Sequence, residues 1–100
     1  MIRVELLPEA ESDLQAALDW YEARRSGLGG EFLESFEDAL SFVADAPHRF
    51  PVIHAPLRRV LLSRFPYAVF YSTNANTVIV FAVFHCSRDP QVWVRRLSPE

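Results

Sequence analysis

The amino-acid sequence predicts an α+β domain of order β-α-α-β-β-β plus a short C-terminal segment. A helical hairpin is expected to pack on one face of a mostly antiparallel sheet. Three observations predict it. Apolar residues between positions 8 and 45 recur at a helical period. From position 57 on the pattern alternates or runs continuously apolar, as strands do. The late connections are short, and short links force neighbouring strands to run antiparallel.

Ile2 to Leu7 alternates enough for a first strand. Pro8 then opens a helix, because proline is tolerated in the first turn. Glu9, Glu11 and Asp13 crowd that turn, where they complement the positive end of the helix dipole. Leu14, Ala17, Leu18 and Tyr21 share one buried face, and Arg24 and Arg25 sit near the favourable C-terminal end. Ser26-Gly27-Leu28-Gly29-Gly30 breaks the helix. A second begins near Glu31, with Phe32, Phe36, Ala39, Leu40 and Val43 as its stripe and Ala46-Pro47 as its end.

Pro47 to Pro56 reads as a proline-rich loop containing His48, Arg49 and His54. Leu57 to Ser63 reads as a strand, and so does Phe65 to Ser72. In the latter, Tyr67, Val69 and Tyr71 share one face, Ala68 and Phe70 the other. Thr73 to Asn76 is a polar hairpin turn. Thr77 to Phe84 is continuously apolar and rich in Val and Phe, which fits a central strand covered on both faces. Cys86 to Pro90 is a turn, and Gln91 to Arg96 a short terminal segment.

One hundred residues with a 50% hydrophobic content make a single domain, 1–100. No apolar stretch is long enough to span a bilayer, and Met1 to Pro8 lacks the pattern of a signal peptide. With only one cysteine, Cys86, a cytoplasmic protein is expected. Charge is unevenly spread: residues 1–50 carry a net −7 and residues 51–100 a net +4. The second half is therefore suited to an anionic partner, either an acidic protein surface or a nucleic acid. All ten basic residues are arginine, which removes lysine from the acid–base inventory.

Several segments, in this order, resemble toxins of the RelE/ParE superfamily. They are Pro8-Glu9-Ala10-Glu11-Ser12-Asp13-Leu14, Trp20-Tyr21-Glu22, and Leu28-Gly29 with Phe32. The strongest is Arg58-Arg59-Val60-Leu61-Leu62-Ser63-Arg64-Phe65-Pro66-Tyr67, running into Val69 and Tyr71. His85, Arg88-Asp89-Pro90, Trp93 and Arg96 close the set. The ParE-like plasmid stabilisation branch is the closer likeness. Leu7 departs from it, standing where the family often has a capping serine.

The resemblance implies the growth-arresting half of a type II toxin–antitoxin pair, assembled with a cognate antitoxin into a hetero-oligomer. It implies two modes of action. One branch binds DNA gyrase and poisons it without cleaving a bond. The other cuts mRNA on the ribosome, which needs acid–base groups and cations around the scissile phosphate. A non-toxic partner-binding relic is the third reading.

For cleavage, His85 would act on protons, with Arg64 and Arg88 at the phosphate. For binding, the expected contacts are Arg58, Arg59, Arg64, Arg88, Trp93 and Arg96, arginine being suited to bidentate contact with carboxylate or phosphate. Arg58 and Arg64 are expected on one face of a strand and Arg59 on the other. Each has a plainer reading: solvated edge charge for the arginines, a structural role for His85, a packing anchor for Trp93. His48 and His54 lack partners at ligand spacing, so neither metal nor cofactor is expected. The thin acid–base inventory tilts the reading toward the gyrase-directed, non-enzymatic branch.

Overall fold

The computed structural model describes residues 2–89 and 95–96. Its elements are β1 (Arg3–Leu6), α1 (Pro8–Arg24), α2 (Leu28–Asp45), β2 (Val52–His54), β3 (Leu57–Leu61), β4 (Tyr67–Asn74) and β5 (Thr77–His85). One sheet runs in the order β1-β5-β4-β3-β2. β1 lies parallel to β5, and the other neighbours are antiparallel. No helix among the described residues is long and apolar enough to cross a membrane.

The predicted α+β order is present, with one strand more. β2 occupies three residues of the proline-rich segment and pairs with β3 across a turn whose Ala55–Pro56 peptide is cis. Prolines on both sides hide so short a strand from any alternation test.

Pro8 occupies the first turn of α1, and Leu7 caps it without a side-chain hydrogen bond. α2 starts at Leu28, before the expected Glu31. The Glu22 carboxylate of α1 accepts the Gly27 and Gly29 amides, so the first turn is capped from the neighbouring helix. Gly27 adopts φ 90° there. Gly29 is needed for approach: a Cβ on it would stand 2.9 Å from the Leu18 carbonyl oxygen.

The hairpin covers one sheet face. Phe32, Phe36, Ala39 and Val43 of α2 and Ala10 and Ala17 of α1 pack with Val60, Val69, Tyr71, Val78, Val80 and Val83. Tyr71 is fully buried and donates its hydroxyl to the Pro47 carbonyl at 2.7 Å. The opposite face carries a second cluster of Leu57, Ala68, Phe70, Ala82 and Phe84. β4 therefore splits its side chains as alternation requires.

β5 does the same only by way of a bulge. Tyr71 pairs with Val80 and Phe70 with Ala82, which leaves Phe81 as the extra residue. Before the bulge the even positions Val78 and Val80 face the helices; after it the odd Val83 does. A continuously apolar run conceals such a change of phase.

β3 ends at Leu61, two residues short of the expected Ser63. Residues 63–66 form a bend, closed by the Leu62 amide donating to the Tyr67 carbonyl at 2.9 Å. Arg64 within it has φ 76°. Ser35 of α2, the one buried polar residue among those described, donates its hydroxyl to the Ser63 carbonyl at 2.7 Å. The bend is thereby fastened to the hairpin.

Candidate functional site

β1 pairs with β5 only as far as Leu6 opposite Val80, because Pro8 turns the chain into α1. β5 runs on to His85 with no strand on that side among the described residues. Side chains meet two of its backbone groups. Asp13 Oδ2 accepts the Val83 amide proton at 3.0 Å, and Arg96 Nη1 donates to the Phe81 carbonyl at 3.3 Å. Arg96 Nη2 and Asp13 Oδ1 close the unit at 2.8 Å.

An open groove of about 400 Å3 lies between this edge and α1. Asp13, Ala16, Ala17 and Trp20 form its helical wall; Val83 and His85 form its strand wall; Tyr21, Tyr67 and Arg88 complete the lining. Trp20 is 51% exposed, with the Arg24 guanidinium 3.8 Å from its ring centroid. The Tyr67 ring meets His85 edge-on at 5.2 Å.

The electrostatics of the lining are legible from its bonds. The Ser87 amide donates to His85 Nδ1 at 3.0 Å, with the Ser87 hydroxyl 2.8 Å from the same nitrogen. Nδ1 thus serves as an acceptor within its own turn. Burial raises the Tyr21 phenol. Burial also raises Tyr67, with Tyr21 beside it adding to the rise and Arg88 opposing it. Both phenols are held protonated. Asp13 is taken up by the Val83 amide and Arg96.

The residues expected at a site divide into three groups. His85 and Arg88 come together at the end of β5, in the groove and on the far sheet face alike, where Arg59 joins them beside Phe70 and Phe84. Arg96 seals the β5 edge, and the guanidinium groups of Arg88 and Arg96 lie 4.6 and 4.9 Å from the Phe84 ring centroid.

Arg58 and Arg64 do not share a strand face. Arg58 donates to the carbonyls of His48 and Phe50, tying the preceding loop to β3. Arg64 stands in the bend after β3 and pairs with Glu31 at 2.7 Å, because the strand has already ended. Trp93 lies outside the described residues.

Asp13, Ala16 and Trp20 join the groove through the fold and through no motif of the sequence. One signal was available. Asp13 falls on the buried stripe of α1, three residues after Ala10 and four before Ala17, and a carboxylate on an apolar stripe needs a partner.

Residues 4–90 match the family model described as ParE toxin of type II toxin-antitoxin system, parDE. The chain belongs to this family. A comparison with curated proteins finds no significant match. Among solved structures, the chain is similar to one titled chromosomal ParDE TA system from P. aeruginosa. The TM-score is 0.61 at 16% identity, over 85% of this chain and 96% of that one. At such identity the likeness speaks for the fold.

In this ParE-family chain the groove combines a strand edge with no strand beside it among the described residues, the exposed Trp20 ring and the Arg88 side chain.

Proposed function

We propose that this ParE-family toxin arrests growth in the cytoplasm by binding DNA gyrase, cleaving no bond itself, and is neutralised by a cognate antitoxin. The observation that carries the reading is the state of the expected catalytic set. Arg64 is directed at Glu31, away from the groove that His85 and Arg88 line. His85 Nδ1 is already engaged by the Ser87 amide at 3.0 Å, which turns that ring nitrogen toward its own turn. Tyr21 and Tyr67, both raised by burial, supply no phenolate in its place. An antitoxin with an acidic segment complements the arginine-rich second half, which carries a net +4.

The ribosome-dependent nuclease reading has one observation in its favour, the shared position of His85 and Arg88. Induced expression distinguishes the two, with plasmid topology and mRNA ends mapped in the same cells. Gyrase poisoning predicts relaxed or cleaved DNA, intact mRNA, and growth arrest that survives His85→Ala. Codon-phased mRNA cuts that vanish in His85→Ala establish the nuclease instead. Undisturbed growth without the antitoxin marks a non-toxic relic.

A further inference from the structure

We propose that the outer face of α2 is the surface by which this toxin docks on gyrase. Its carboxylates and the Phe42 ring meet the cationic surface on which the enzyme holds DNA. This rests on the gyrase reading above and names the contact that the reading needs.

Glu34, Glu37, Asp38, Ser41, Phe42 and Asp45 are exposed, and spacings of three and four residues gather them on one side of the helix. Phe32, Phe36, Ala39 and Val43 are buried on the other. Glu31, earlier on the helix, is held by Arg25 and Arg64. None of the four carboxylates after it has an ion pair among the described residues.

Folding does not account for this charge. Glu34 has a like charge at both i+3 and i+4, which destabilises a helix. Asp45 stands in the last turn, at the negative end of the helix dipole, and no basic residue offsets it there. The ring is a separate feature of the same face: Phe42 is 59% exposed, more than any other large hydrophobic residue described. An exposed ring beside carboxylates suits one kind of partner, a guanidinium or ammonium group that pairs with the acid and stacks on the ring.

An enzyme that handles DNA presents such groups in a row, because it must neutralise phosphates. Glu34 to Asp45 spans about 16 Å of helix, the length of about five phosphates along one DNA strand. The face is also clear of the groove between α1 and β5, whose lining includes no residue of α2. Substitutions on it leave that groove intact.

The test measures inhibition of purified gyrase by the full chain and three variants. One is Glu34→Gln/Glu37→Gln/Asp38→Asn on α2, and one is Phe42→Ala. The third, Glu9→Gln/Glu11→Gln/Asp19→Asn, removes the same charge from exposed positions of α1. The α2 triple variant is expected to need about a hundredfold more toxin for the same inhibition, and Phe42→Ala about tenfold more. The α1 variant should inhibit as the parent does, and duplex DNA should displace the parent from gyrase. Unchanged affinity of the α2 variants for the antitoxin encoded by the neighbouring gene verifies that they are folded. An α2 triple variant that inhibits like the parent overturns the face and leaves the gyrase reading standing. A parent that leaves gyrase untouched sinks both. Equal losses in the two triple variants would report net charge alone and overturn the α2 face. Toxin binding that duplex DNA leaves unchanged overturns its placement on a DNA-holding surface. Lost antitoxin affinity with full gyrase inhibition gives the face to the antitoxin and overturns gyrase as its occupant.

Discussion

Asp13 on α1 accepts the amide proton of Val83 on β5 at 3.0 Å, which joins helix to sheet where β1 has already left it. Its second oxygen holds Arg96 at 2.8 Å, and the Asp13 side chain is only 13% exposed. Asp13→Ala strands a donor on the strand edge and leaves a partly buried guanidinium unpaired. A buried donor left unsatisfied costs about 1–3 kcal/mol, so a loss of about 2 kcal/mol is expected. Asp13→Asn keeps an acceptor for Val83 and should lose less. Urea denaturation of the three proteins checks the order. Equal stability of the alanine variant and the parent would show that the contact contributes nothing.

Arg64 sits at φ 76°, a region that costs a residue with a Cβ roughly 1–2 kcal/mol relative to glycine. Two variants separate this backbone effect from the Glu31 pair. Arg64→Ala and Arg64→Gly both lose the pair, but only glycine relieves the backbone. Arg64→Gly is therefore expected to be more stable than Arg64→Ala by about 1 kcal/mol. Thermal melts that rank alanine above glycine would contradict the left-handed assignment.

Local sequence made the helical hairpin and the faces of β4 legible, because Phe32, Phe36, Ala39 and Val43 repeat at a helical period and Ala68 to Tyr71 alternate. It concealed features that depend on non-local partners. Nothing local says that β3 stops at Leu61; the bend after it is fastened by Ser35, distant in sequence. Nothing local says that α2 begins at Leu28, since its first amides are satisfied by Glu22. The Phe81 bulge is masked by a run apolar at every position. For the site, residue type identified His85 and Arg88, while the groove required knowing that β1 ends short of β5. Arg58 and Arg64 share a face only if one strand carries both, and β3 ends at Leu61, short of Arg64.

Leu7 caps α1 without a side-chain acceptor, at a position where Ser, Asp or Asn ordinarily satisfies an amide of the first turn. Its backbone is already extended, at φ −67° and ψ 156°, as a capping residue requires. Leu7→Ser is expected to stabilise the protein by about 1 kcal/mol. It retains the backbone bonds of residue 7 to Val80 and Glu11. A higher melting temperature for Leu7→Ser supports this. A lower one would mean that packing by the leucine side chain outweighs the missing cap.

Glu31 lies between two cations, bonded to Arg64 at 2.7 Å and to Arg25 at 3.3 Å. The Arg64 contact is the larger cause, and Arg25 the next, of a carboxyl held below its ordinary value of 4.5. A depressed carboxyl binds its proton less readily in the folded state than in the unfolded one. Its contribution is therefore complete above the unfolded value and lost as pH falls through the folded one. The difference in stability between parent and Glu31→Gln should be constant near neutral pH and shrink on the acid side of 4.5. Because the group is solvent-exposed, added salt should narrow the difference at neutral pH. Denaturation curves from pH 7 to pH 2, at low and high salt, measure both effects. A gap that stays constant through the acid range would mean that Glu31 acts through packing, and that its charge and the two arginines hold nothing together.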